Sequence, residues 1–138
     1  MPGFEASVAI GAPAADVFDV ISDLATHPRW AADELTLERT GERTWRSISR
    51  TKGRTFHADI IVTVSEPGKV FEFVSSDETG TYGHRFTLRD LPGGCEVTRS
   101  VTARRLGIGQ QALFWLTLIP VRRPAMRSSL ARLASFFA

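Results

Sequence analysis

From residue 35 to residue 103 the sequence alternates apolar and polar side chains with a period of two, broken only by short turns. That period marks strands, because successive side chains of a strand point to opposite faces of a sheet. The predicted strands are 35–39, 44–50, 55–65, 70–75, 81–89 and 95–103. Between them lie Gly41-Glu42, Lys52-Gly53, Glu66-Pro67-Gly68, residues 77–80 and Leu91-Pro92-Gly93-Gly94, all rich in residues that accept positive φ or fix φ. Parallel strands need crossovers of about a dozen residues or more, so connections this short require an antiparallel meander.

The flanks change the pattern. Residues 4–10 add a seventh strand, with Phe4, Ala6, Val8 and Ile10 on one face. Gly11-Ala12-Pro13 ends it, and Pro13 suits the first turn of a helix whose Val17, Val20, Ile21 and Leu24 share a face. Thr26 is the expected N-cap of a second short helix carrying Trp30. At the other end, residues 107–138 read as a long helix broken at Pro120, which lacks the N–H that would bond back to Leu116. Pro124 fits the first turn of the renewed helix, and Met126, Leu130, Leu133 and Phe137 form one apolar face. The segment before Pro120 is apolar nearly all round, so it is expected to be enclosed on several sides or to face a ligand.

A curved antiparallel sheet of seven strands has one concave apolar face, which a helix is expected to fill. Alternation places Phe56, Ala58, Ile60, Val62, Val64, Phe71, Phe73, Tyr82, His84, Phe86, Leu88, Val97, Arg99 and Val101 inward, and Trp45 with Ser47 on the same side. Asp59, Glu72, Arg85, Arg89, Glu96 and Thr98 fall on the solvated face.

The apolar run of residues 112–121 is half of the roughly 20 residues needed to span a bilayer. No basic and apolar leader opens the chain, so a cytoplasmic protein is expected. A lone cysteine, Cys95, allows no intramolecular disulfide and suits a small buried thiol at a strand start. Every Asp and Glu lies at or before Glu96, whereas residues 97–138 carry seven arginines. That end pairs with the acidic remainder, or it offers a cationic surface to anionic lipid or nucleic acid.

The segment Val8-Ala9-Ile10, Ala12-Pro13-Ala14-Ala15-Asp16-Val17-Phe18-Asp19-Val20-Ile21-Ser22-Asp23 and His27-Pro28-Arg29-Trp30 resembles the opening of the START-like superfamily, and within it the polyketide cyclase/dehydrase and lipid-transport group, also called SRPBCC proteins. Phe86-Thr87-Leu88 with Gly93-Gly94-Cys95-Glu96-Val97-Thr98 is similar to the penultimate hairpin of that group, where Thr is common at the place of Cys95. The resemblance implies an α+β helix-grip fold: a seven-stranded antiparallel sheet wrapped around a long C-terminal helix, with two short helices between strands one and two. It implies a single ligand-binding domain over residues 1–138, with a cavity between sheet and helix for a hydrophobic or amphipathic molecule such as a lipid, quinone or polyketide-like compound. Members include carriers, receptors and aromatase/cyclases, so binding or carriage stands beside a cyclase or dehydratase reading.

Three histidines far apart in sequence, without neighbouring cysteine, do not suggest a metal, and no cofactor is implied. Tyr82, His84 and Arg99 fall on the inward face of two strands joined by one tight turn. Buried polar groups of this kind satisfy one another or hold a polar part of a ligand. They are the candidate catalytic residues: His84 could move a proton, and Arg99 could hold an enolate or carboxylate. Trp30, Trp45, Phe73, Phe86 and Trp115 are the expected aromatic lining, joined by Tyr82, His84 and Arg99. Arg122, Arg123, Arg127 and Arg132 form a basic amphipathic segment suited to the surface of an anionic membrane. Nucleic acid is disfavoured because no recognition motif is present, and a homodimer is open.

Overall fold

The structure, a computed structural model, describes residues 3–31, 34–51 and 53–138. Seven strands form one antiparallel sheet: β1 (Gly3–Ile10), β2 (Glu34–Arg39), β3 (Thr44–Thr51), β4 (Arg54–Glu66), β5 (Val70–Asp77), β6 (Gly80–Leu91) and β7 (Gly94–Leu106). Their order is β1-β7-β6-β5-β4-β3-β2. Strands β2 to β7 follow the chain as hairpins, as the turn chemistry requires. Gly53, Gly68 and Gly93 hold positive φ in three of the turns; Lys52 of the Lys52-Gly53 turn lies outside the described residues.

β1 and β2 are consecutive in sequence but occupy opposite edges, so the connection between them must traverse the sheet. Helix α1 (Ala14–Ile21) and a short 3₁₀ helix (Leu24–Arg29) make that crossing, α1 over β6 and β7 and the 3₁₀ helix beside β2. Pro13 stands at the N-cap of α1, one position before the helix proper. The cap of the 3₁₀ helix is Asp23 and not Thr26: the Asp23 carboxylate accepts from the Ala25 N–H at 3.1 Å. Thr26 is drawn elsewhere, its hydroxyl 2.7 Å from the Val20 carbonyl and accepting from Trp30 Nε1 at 3.2 Å.

The C-terminal region comprises α2 (Ile108–Thr117), a π turn (Leu118–Arg122) and α3 (Arg123–Ser135). Pro120 sits inside the π turn, where the Arg123 N–H bonds to the Leu118 carbonyl five residues back. The missing proline N–H is accommodated by widening one turn. α3 packs along β1 and presents Met126, Leu130 and Leu133 to a core shared with Val17, Ile21, Leu24 and Trp30 of the crossing and with Phe71, Phe73, Phe86, Val97 and Val101 of the sheet. Cys95 is buried at the start of β7.

Two expectations fail. The segment before Pro120 is not enclosed: only Phe114 and Leu118 are buried, against Phe4, Tyr82, Ala103 and Leu106 at one end of the sheet. The helix gripped by the sheet is therefore α3, assisted by α1 and the 3₁₀ helix. Val64 does not face inward either, because a register shift between Val62 and Val64 pairs it with Glu72 on the outer face and turns Ser65 toward Phe71.

Leu133 is fully buried and Leu116 is 75% exposed. Leu133→Ala is expected to lower stability by about 2–5 kcal/mol in urea unfolding, whereas Leu116→Ala should change it by less than about 0.5 kcal/mol. Equal losses would mean that α2, not α3, is the gripped element.

Candidate functional site

The β6–β7 hairpin sets the geometry of the interior. Its turn needs Gly93 at φ +79°, and Gly94 lies where an added Cβ would run into the Ile10 carbonyl. The register places His84 opposite Val101 and Phe86 opposite Arg99, so His84 and Arg99 share the inner face one step apart. On the other side, β5 sets Phe73 opposite His84 and Ser75 opposite Tyr82.

The His84 ring stacks on Phe73, with centroids 4.5 Å apart and planes within 10°. Its Nε2 is 2.9 Å from Ser75 Oγ. A serine hydroxyl both donates and accepts, so the Nδ1 position can carry a proton or a lone pair according to the direction of that bond. Arg99 Nη1 donates to Ser129 Oγ of α3 at 2.8 Å, and its Cζ lies 5.2 Å from the Phe86 ring centroid. Ser129 donates in turn to the Met126 carbonyl at 2.7 Å.

A second imidazole completes the group. His27 Nε2 lies 2.8 Å from the Ile21 carbonyl, which can only accept, so the ring carries its proton there. Its ring is 4.5 Å from Trp30, 6.0 Å from Phe73 and 6.1 Å from Phe86. Trp30 packs edge-on to Phe86 at 5.7 Å, and its carbonyl accepts from Arg132 Nε of α3 at 3.0 Å.

Burial dominates the electrostatics. It lowers both imidazoles to a pKa of about 3, with the positive charge of Arg99 acting in the same direction on each. The bond to Ile21 opposes the shift at His27. Burial, followed by repulsion from Arg132, lowers Arg99 to about 10, which leaves it charged at neutral pH. Among the described residues no carboxylate lies within ion-pair distance of Arg99. His84 Nδ1 and Arg99 Nε are inaccessible and have no hydrogen-bond partner among the described residues, although each residue keeps some exposed surface. Among the described residues no three His, Cys, Asp or Glu side chains converge on one point.

Of the residues singled out from sequence, Trp30, Phe73, His84, Phe86 and Arg99 are brought together. Tyr82 is not part of that polar group: its hydroxyl bonds to Thr79 Oγ1 at 2.7 Å, and its ring packs toward Phe114. Trp115 does not line the interior, being 56% exposed on α2. Trp45 is half-buried at the far side of the sheet, with Arg39 5.9 Å from its ring centroid. His27, Ser75, Ser129 and Arg132 were not anticipated as site residues. The available signal was Ser129, a hydroxyl on the apolar face made by Met126, Leu130 and Leu133.

Side chains occupy the space between sheet and α3, where an elongated cavity was expected. The two best-formed depressions lie elsewhere and are open. One, of about 310 Å³, is bounded by Ser22, Asp23, Arg43, Trp45, Val62 and Phe71. Its Phe71 wall is 5.9 Å from Phe73 and so adjoins the aromatic floor under His84. The other, of about 360 Å³, lies around Ile61 and Val74 of β4 and β5.

The family model described as polyketide cyclase/dehydrase and lipid transport matches residues 1–137. No curated protein matches the chain by sequence. A conserved protein from Geobacillus kaustophilus has a similar structure, with a TM-score of 0.80 and 14% identity over 99% of this chain and 95% of that one. A Deinococcus radiodurans protein gives 0.73 and 22% identity over 98% and 95%. The di-domain ARO/CYC protein StfQ of the steffimycin biosynthetic pathway gives 0.74 and 17% identity over 99% of this chain and 50% of that one.

Because both buried imidazoles have a folded pKa of about 3, below the unfolded value of 6.5, the unfolded chain binds more protons between these limits. Their contribution to stability is complete above pH 6.5 and is lost as pH falls toward 3. Urea unfolding at pH 6.5 and 4.5 should show a loss on the order of 2 kcal/mol for each imidazole. His84→Gln should remove its share of the difference; an unchanged pH dependence would show that His84 is not held neutral.

Proposed function

The chain belongs to the polyketide cyclase/dehydrase and lipid transport family, and within it we propose that this protein acts as one domain that binds and carries a small amphipathic molecule between its sheet and α3. Trp30, Phe73 and Phe86 are closed over by side chains in this structure, so α3 shifts from the sheet to let the apolar body of the ligand lie against them and an anionic oxygen reach Arg99. A lipid, a quinone or a polyketide-like compound has that character. The observation that carries the reading is the Arg99 guanidinium, charged, set over the Phe86 ring and lacking a carboxylate partner among the described residues. A charge in such surroundings is unfavourable unless a counter-charge or hydrogen-bond acceptors meet it, and a ligand oxygen supplies both. The groove beside Trp45 and Phe71 is the route of entry, since its wall adjoins the aromatic floor.

The second reading is a cyclase. It is supported by the juxtaposition of His84 with Arg99 and by likeness to the ARO/CYC protein. His84 would take a proton from a carbon beside a carbonyl, Arg99 would hold the enolate oxygen, and the imidazolium would return the proton to the alkoxide formed on ring closure. A pKa of about 3 leaves His84 a weak base at neutral pH, far from the match to operating pH that general bases need. Carriage is therefore the first reading.

The test compares size-matched probes, 2-naphthoate and neutral 2-naphthamide, by calorimetry. Arg99→Met is expected to weaken naphthoate binding about 10- to 100-fold through loss of a charge-assisted hydrogen bond, and to change naphthamide binding by less than about threefold. Equal effects on both probes, or undiminished naphthoate binding, would remove Arg99 from the site.

A further inference from the structure

Helix α2 turns an apolar stripe to solvent. Ile108, Ala112, Trp115, Leu116 and Ile119 recur at i, i+4, i+7, i+8 and i+11, which is one helical face. Ile108 is 91% exposed, Leu116 75%, Ile119 72% and Trp115 56%. The opposite side, with Phe114 and Leu118, is the side that packs on the sheet. Isolated exposed apolar residues are ordinary, but a contiguous stripe of four large ones marks a surface that something covers.

The charges around the stripe identify its chemistry. Residues 97–138 hold no Asp or Glu. Arg105 precedes α2 and is exposed, as are Arg123 and Arg127 after the π turn; Arg104 is exposed too but pairs with Glu72 at 3.5 Å. The other two arginines of the basic segment point elsewhere: Arg122 lies 4.6 Å over the Phe114 ring and bonds to Thr117, and Arg132 bonds to the Trp30 carbonyl. An apolar stripe carrying a tryptophan and followed along the chain by exposed arginines matches the layering of an anionic bilayer surface, with acyl chains beneath a negative headgroup region. A second copy of this chain would bring the same cations against them, which disfavours self-association through this face. No described helix is long and apolar enough to cross a membrane, so the contact is peripheral.

We propose that α2 and the start of the π turn form a docking element for anionic lipid membranes, inserting Ile108, Trp115, Leu116 and Ile119 among the acyl chains while Arg123 and Arg127 meet lipid phosphates. The proposal does not depend on the identity of the interior ligand. It replaces the four-arginine surface expected from sequence with a site in which the apolar residues of α2 are indispensable.

The test uses the full chain with vesicles of phosphatidylcholine and phosphatidylglycerol in equal parts, and with phosphatidylcholine alone. The protein should co-sediment with the mixed vesicles, less so as salt rises, and bind the neutral ones weakly. Brominated acyl chains should quench tryptophan fluorescence in the wild type and not in Trp115→Phe, because Trp30 is fully buried and Trp45 lies on β3, four strands along the sheet from β7 and α2. Leu116→Glu with Ile119→Glu should weaken binding by about tenfold or more without shifting the thermal midpoint, since both positions are exposed. Arg123→Glu with Arg127→Glu should also weaken binding and flatten the salt dependence. Failure to bind mixed vesicles, binding unaffected by the α2 substitutions, or absence of quenching overturns the proposal. So does a dimer in sedimentation equilibrium that the α2 substitutions disperse, which would assign the face to a second copy.

Discussion

A buried guanidinium set over the ring of Phe86 is the constraint on which the interior depends. Taking one charge out of water carries a penalty of several kcal/mol even after relaxation. Arg99 offsets part of it through the Phe86 face and the hydroxyl of Ser129. Both contacts require tertiary placement: Phe86 through the β6–β7 register, and Ser129 through the seating of α3 along β1. The same charge adds to burial, the larger cause, in keeping His84 and His27 neutral. Arg132, three residues and so about five-sixths of a turn beyond Ser129, ties α3 to the end of the 3₁₀ helix.

The architecture divides the C-terminal region into two parts with different tasks. After the π turn at Pro120, α3 is drawn into the concavity and supplies Met126, Ser129, Leu130 and Leu133. Before it, α2 projects past the end of the sheet and touches it through Phe114 and Leu118. A continuous helix would have to bury both apolar faces or expose both. The widened turn lets one be core and the other surface.

Most of the fold was legible because it rests on local signals. Period-two alternation and turn residues located every strand, and alternation alone put Phe73, His84, Phe86 and Arg99 on one face. What escaped was whatever depended on the particular contacts a residue makes and not on its type or spacing. Thr26 is a good capping residue by type, yet its hydroxyl is used by Val20 and Trp30, leaving the cap to Asp23. Val64 continues the alternation in sequence, but a register shift places it outside. Trp115 belongs to an apolar run, and no feature of that run distinguishes core from exposed surface when both sides of a helix are apolar. His27 and Arg132 join the site across gaps of 57 and 33 residues from His84 and Arg99, separations that no periodicity reports.

The central claim is that Arg99 is the polar anchor of a ligand held in the interior. The Nε–H correlation of Arg99 in a nitrogen-15 spectrum, identified by its loss in Arg99→Lys, reports on that contact directly, because this donor has no partner among the described residues. Titration with 2-naphthoate should shift that signal and give cross-relaxation between it and the naphthalene protons. A ligand that perturbs only signals from surface residues, with the Arg99 signal unmoved at saturation, would contradict the account.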